Sequence, residues 1–294
     1  MTRWLRWLVS LGLIGLIIFH HGDTLGGILA ETQLRWIALA LLISIAQVLL
    51  SAWRWRYTAL RLETALGLRT AIAEYYLAML VNQLLPGGVV GDAQRAWRHA
   101  RQTPGWQPAA QAVVIERVAG QLAIAIFILL SWPWLPGPVA EATADIGMLV
   151  LLGLLSAFAV NRLLRPWLQA TRLATVVSDW IAAVRQALLS RQVLPVQLLL
   201  SILIGASYIA IYACCMLAID ASGGKTVWLP LLPLVLLAML IPISAGGWGL
   251  REGAAALLWP IAGLPAAEGI SAAILYGVVC LLASLPGIWV ISRR

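Results

Sequence analysis

The fold of this chain turns on Asn82-Gln-Leu-Leu-Pro-Gly-Gly-Val-Val-Gly-Asp-Ala-Gln-Arg95. This stretch lies between apolar runs long enough for a membrane, yet it holds Pro86, Gly87, Gly88 and Gly91, followed by Asp92 and Arg95. Helix breakers and charges at membrane depth are costly unless the broken backbone lines a polar cavity walled by protein. A second stretch answers it: Ile241–Glu252 holds Pro242, Gly246, Gly247, Gly249, Arg251 and Glu252. A shift of 156 residues puts Pro86 on Pro242, Gly91 on Gly247, Arg95 on Arg251 and Thr70 on Thr226. Paired Gly/Pro-interrupted apolar segments in the two halves of a chain point to a transporter's binding site.

Composition agrees with a membrane setting. Of 294 residues, 62% are hydrophobic and 11% charged, against roughly a quarter charged in an ordinary soluble domain. The mean hydropathy of +0.90 makes this a polytopic, all-α membrane protein, and no linker divides it, so residues 1–294 read as a single integral membrane domain. The net charge of +8 comes almost wholly from arginine and is read as a topology signal rather than a nucleic-acid surface. Cys214, Cys215 and Cys280 lie in apolar runs without metal-ligand spacing. No metal site and no cofactor are expected, and no Walker motif or nucleophile elbow is present.

The remaining chain falls into place around the two breaks. Spans are expected at 1–21, 36–52, 109–130, 146–164, 194–219 and 272–291, the first being a retained helix rather than a cleaved signal. Trp53-Arg54-Trp55-Arg56-Tyr57 reads as a headgroup boundary. Basic residues flank 70–99 on both sides, which makes it a re-entrant hairpin entered from the cytoplasm. Working back from Arg293-Arg294, the segment 227–268 begins and ends outside and forms the opposed hairpin. Leu173, Val177, Trp180, Val184 and Leu188 recur at helical spacing, so about 166–191 is expected as an amphipathic helix on the cytoplasmic face. Both termini are then cytoplasmic, and sixteen of the twenty basic residues fall on that side. Six spans with two opposed re-entrant hairpins make an inverted repeat. The rival layout gives each hairpin a full span, for seven or eight in all.

The chemistry expected at the breaks is anion binding. A half-helix that starts after a glycine-rich break presents free N–H groups and a positive dipole end. Arg95 and Arg251 add permanent charge in a fork suited to phosphate. Asp92, Glu116 and Glu252 can balance these arginines in an empty site or meet an amine on the substrate. Glu116 and Arg117 are neighbours on a helix and point about 100° apart, so they face different partners. The bland alternative is that Arg–carboxylate pairs only staple the hairpins shut.

Three ordered motifs carry a family resemblance: Leu85-Pro-Gly-Gly-Val-Val-Gly-Asp-Ala-Gln-Arg95, Ile115-Glu-Arg-Val-Ala-Gly120 and Pro242-Ile-Ser-Ala-Gly-Gly-Trp-Gly-Leu-Arg-Glu-Gly253. Together they resemble the lysylphosphatidylglycerol synthase transmembrane region family, a flippase-like membrane domain, over nearly the whole chain. The resemblance implies lipid translocation without the synthase activity, because the aminoacyl-transferase domain is not part of this sequence. It assigns substrate binding to Asn82, Asp92, Arg95, Glu116, Arg117, Arg251 and Glu252. The hinge and loop positions are Pro86, Gly87, Gly88, Gly91, Pro242, Gly246, Gly247 and Gly249. The expectation is a non-enzymatic, multi-pass flippase or scramblase of the bacterial inner membrane, handling a phospholipid or a modified one. Its expected partners are membrane lipids, with a second copy of the chain and a lipid-modifying enzyme as further candidates and no nucleic acid. Two alternatives stand beside it: an exporter of a polyprenyl-phosphate-linked sugar, and a non-transporting subunit that anchors a lipid synthase or glycosyltransferase.

Overall fold

The computed structural model describes residues 27, 31–85, 88–103, 105–145, 172–239, 244 and 246–292. The spans expected at 1–21 and 146–164 lie outside the described residues, as do Pro86, Gly87, Pro242 and the first part of the 166–191 segment. Within them the fold is helical, and four helices are long and apolar enough to cross a membrane: Leu34–Arg61, Trp106–Trp134, Leu194–Ala218 and Ala266–Val290. These correspond to four of the six expected spans.

Two sets of helices account for most of the described chain. The first is α1 (Leu34–Arg61), α2 (Leu68–Leu84), α3 (Val90–Ala100) and α4 (Trp106–Ser131). Between the sets lies α5 (Arg172–Val184), which runs into a π-helical turn at Arg185–Leu189. The second set is α6 (Leu194–Ala218), α7 (Lys225–Trp228), α8 (Leu232–Ala238), α9 (Leu250–Ile261) and α10 (Ala266–Ser284). A short α11 (Pro286–Ser292) follows and packs on α2.

The 156-residue shift that aligns the two breaks also carries α1 onto α6, α2 onto α7–α8, α3 onto α9 and α4 onto α10, each within a few residues. Their packing repeats as well. In each set the first helix meets the first arm of the hairpin and the last helix, and the second arm meets the last helix. Across the sets, α4 touches α6 and α8, while α10 touches α1 and α2. The two first helices pack on each other in opposite directions. Gln33 N donates to Ala218 O at 2.8 Å, Arg54 reaches Ser201 at 3.3 Å, and Gln197 reaches Thr58 at 2.9 Å.

The helix ends follow local chemistry. Leu85 is extended (φ −107°, ψ 141°), the conformation forced on a residue before proline, so α2 stops there. α6 opens with Pro195 in its first turn, where a missing N–H costs nothing. In α9, Gly249 N donates to Glu252 Oε2 at 2.6 Å, closing the helix start on its own side chain.

Burial is inverted relative to a soluble protein. On α1, Ser44, Gln47, Ser51, Arg54 and Thr58 recur every three or four residues and are all buried, while Leu42, Ile45 and Leu49 are exposed. Apolar side chains outside and a polar stripe inside are what a hydrocarbon surrounding demands. One core packs Tyr212, Leu232, Val235, Trp259 and Tyr276 between α6 and the second hairpin. A second joins Trp55, Ala59, Ala71, Ile115 and Ala187.

Two segments differ from expectation. Trp53–Tyr57 is not a boundary loop: α1 continues to Arg61, and Arg54 and Trp55 turn into the core because they fall on the buried stripe. Pro260 to Glu268 reads in the sequence as a turn, but α9 runs through Pro260 and α10 begins at Ala266; proline in a last turn displaces no more than one backbone bond.

Candidate functional site

The first hairpin folds back tightly. Asn82, near the end of α2, accepts from Gly91 N at 2.7 Å and donates to Asp92 Oδ2 at 3.0 Å. A side chain from the preceding helix thus caps α3 across the break. Gly91 is required by closeness: a methyl group there would sit 2.7 Å from the carbonyl carbon of Ala78 and 2.8 Å from its Cα. Further along, Arg98 and Glu74 pair at 3.6 Å, so α2 and α3 run antiparallel.

Inside this hairpin Asp92 and Arg95 meet α1 and α4. Arg95 Nη2 contacts Glu116 Oε2 at 2.5 Å and its Nε contacts Asp92 Oδ1 at 3.0 Å. The Arg95 guanidinium also lies over the rings of Trp55 (4.8 Å) and Tyr75 (4.7 Å). Glu116 takes a second arginine, Arg54 Nη2, at 2.7 Å, and the Tyr75 hydroxyl at 3.4 Å. Arg117 pairs instead with Asp92 Oδ2. Glu116 and Arg117 therefore do face different partners. Because α4 starts at Trp106, Glu116 lies ten residues in, at a depth of about 15 Å.

Exposure separates the three arginines of this cluster. The Arg54 and Arg95 side chains are 3% and 1% accessible, whereas that of Arg117 is 42% accessible. Arg54 was not among the expected binding residues. Its signal was the spacing Gln47, Ser51, Arg54, Thr58, a polar line along an apolar helix.

The cluster opens onto a cavity of about 300 Å³ at the meeting of both sets of helices. Arg54, Asn82, Asp92, Arg95, Glu116 and Arg117 line it from the first set, and Ser244, Gly246, Gly247, Tyr276 and Cys280 from the second. Gly88 lines it too. The tips of the two hairpins touch here. A methyl group on Gly246 would stand 3.2 Å from Gln83 Cα, and the backbone at Gly246 has φ +55°, which a side chain disfavours.

The second set holds its charges apart from this cavity. Arg251 and Glu252 are fully buried and pair with each other, and neither lines the cavity. The Arg251 guanidinium lies over Trp248 (5.1 Å) and Tyr276 (5.3 Å), and thus backs the Tyr276 wall from behind. Gly277 makes room for it, since a methyl group there would be 2.7 Å from the Trp248 ring. Of the expected binding residues, the structure brings five together at the cavity and sets Arg251 and Glu252 behind it. Gly249 serves as the start of α9.

No curated protein matches this chain. The family model described as Lysylphosphatidylglycerol synthase TM region matches residues 3–287. With the match spanning nearly the whole sequence, this multi-pass, helical membrane protein belongs to that family.

Proposed function

We propose that this protein moves lipid headgroups across a membrane through the cavity between its hairpin tips, without covalent chemistry of its own. The observation that carries this reading is a buried Arg–carboxylate cluster facing a cavity where two helix breaks touch. Charge at that depth costs roughly 2.5–3.5 kcal/mol per group on insertion scales, so it is retained where it serves a path. The repeated packing and the antiparallel α1 and α6 support an inverted repeat, with 70–99 and 227–268 as opposed re-entrant hairpins. In this reading the chain has six spans in an inner membrane, with both termini cytoplasmic. Membrane lipids are its partners, and a second copy or a lipid-modifying enzyme is compatible with it.

Reconstituted vesicles carrying fluorescent phosphatidylglycerol, phosphatidylcholine or aminoacylated phosphatidylglycerol test the proposal. We expect the wild type to expose inner-leaflet label of at least one lipid to an external quencher. Absence of movement for all three would remove the transport reading. For orientation, single cysteines at Ala140 and Ala100 should label from outside intact cells at the first position only. The reverse pattern would invert the topology.

A second reading has its own observation. Val176, Val177 and Ile181 expose an apolar face on α5, which is tied to α4 through Gln107 and Asp179 at 3.3 Å. Such a face suits a membrane surface or the flank of an anchored enzyme, and co-purification of a synthase with an inactive carrier would favour it.

A further inference from the structure

α5 has three sides, one more than a helix between protein and water needs. At about 100° per residue, Ala183 and, in the turn beyond it, Ala187 fall on one side. Both are buried in the core shared with Trp55, Ala59 and Ala112 near the ends of α1 and α4. Val177 and Ile181 lie on a second side, within about 40° of each other, and are exposed. Thr175, Ser178, Asp179 and Ala182 fill the remaining arc, where Asp179 meets Gln107 of α4. Arg185 comes between the apolar and polar sides and is exposed, as is Arg191 beyond the turn. Trp106, beside Gln107 at the start of α4, is also exposed, as a ring at a headgroup boundary is. Val114 on α4 and Leu198 and Leu199 on α6 are exposed within a few turns of the same helix ends. The apolar side of α5 thus sits level with surfaces already turned to hydrocarbon.

The helix is also fastened inward. Its π-helical turn touches α1, α4 and α6, and turns of this kind gather at functional places. There the Ala187 carbonyl accepts from Gln197 Nε2 at 2.9 Å, and the same nitrogen donates to Thr58 Oγ1 at 2.9 Å. Thr58 donates in turn to the Arg54 carbonyl at 2.9 Å, on the residue whose guanidinium holds Glu116. Gln197 and Thr58 are buried, so the bridge is shut off from solvent.

We infer that α5 senses anionic lipid in the leaflet it touches, with Val177 and Ile181 among acyl chains and Arg185 at the headgroup phosphates. Gln197 carries this seating to Arg54. A core side, an apolar side and a polar side with arginine at the seam suit a helix lying along a charged membrane surface. The contact stands whatever the cavity carries; only the regulatory step rests on the carrier reading of the arginine cluster.

Nanodiscs of phosphatidylcholine, with or without phosphatidylglycerol, test both parts on the full chain carrying Cys214→Ala, Cys215→Ala and Cys280→Ala. A fluorophore on Ile181→Cys should be quenched by spin-labelled lipid and shielded from aqueous iodide, and one on Ala182→Cys the reverse. Phosphatidylglycerol should deepen the Ile181 shielding, and Arg185→Gln should weaken that gain about fivefold, equivalent to about 1 kcal/mol for a basic residue at an anionic surface. Iodide reaching both labels alike overturns the membrane contact and leaves the face to a protein partner. Shielding equal in both discs overturns the anionic preference. For the inward link, a fluorine label on Gln121→Cys, next to Gly120 where Arg54 packs, should shift when phosphatidylglycerol is added. Gln197→Leu and the milder Thr58→Val should each abolish that shift and keep the Ile181 contact. A shift absent from the unbridged comparison's parent, or one that survives whichever variant folds, overturns the link.

Discussion

Arg95 and Arg251 occupy matching places after matching breaks, yet they live in different surroundings. Arg95 shares Glu116 with Arg54 and Asp92 with Arg117, so its charge joins α1, α3 and α4 at the cavity. Arg251 pairs with its own neighbour, Glu252, which also accepts the Gly249 N–H of the helix start. The 156-residue shift carries Asp92, Glu116 and Arg117 onto Trp248, Ala272 and Ala273, so the second set has no counterpart of the shared network. Both arginines lie against aromatic rings, which shows that stacking alone does not decide the difference. A repeat can keep its backbone plan while one copy concentrates charge at the cavity and the other turns the same residue into a fastening.

The largest effect should come from breaking the shared pair. Glu116→Gln leaves Arg54 and Arg95 buried against a neutral amide, and breaking a buried pair costs about 3–5 kcal/mol. Folded yield and thermal unfolding in detergent read this out. Glu252→Gln should cost less, since it frees one arginine and keeps an acceptor toward Gly249. Equal losses from the two variants would erase the contrast.

Glycine substitutions sharpen it next. Gly91→Ala meets the Ala78 backbone, which cannot yield, so overpacking should cost roughly 1–3 kcal/mol. Its counterpart Gly247→Ala meets the flexible Met239 side chain instead, but at φ +82° it carries left-handed strain of about 1–2 kcal/mol. Restoring stability to Gly91→Ala by changing a side chain alone would contradict the backbone contact. On lipid movement, Arg95→Lys should lose a charge-assisted bond of about 1.5–3 kcal/mol, and Arg251→Lys should slow movement less. The reverse order would shift the site to the second hairpin. Arg98→Ala, at a partly exposed pair, should change stability by about 0–1 kcal/mol. A larger loss would show that Glu74 draws more from Arg98 than its geometry suggests.

The breaks themselves were legible because proline and glycine act locally: they end helices whatever surrounds them. The divergence of Glu116 and Arg117 followed from helical pitch, and their spacing within one motif marked them early. Arg54 escaped because arginine beside tryptophan is a fair sign of a headgroup boundary, and the same letters fit a helix that runs on. Its buried stripe was visible in the spacing of Gln47, Ser51 and Thr58, but choosing between the two readings needs the partner helix that carries Gln197 and Ser201. The separation of Arg251 from the cavity was likewise beyond the sequence. Its twin position predicts a twin role, and only the apolar identity of Ala272 and Ala273 hinted otherwise.

The contact between Gln83 and Gly246 has an electrical consequence. A transmembrane voltage falls mainly across the material that excludes water, and the meeting of two hairpin tips narrows that layer to a few side chains if both mouths are wet. A charge carried past this point then crosses most of the potential in one short step. For a single charge the work is about 2.3 kcal/mol per 100 mV. For a charged lipid carried as proposed, membrane polarisation would thereby set the direction in which it accumulates.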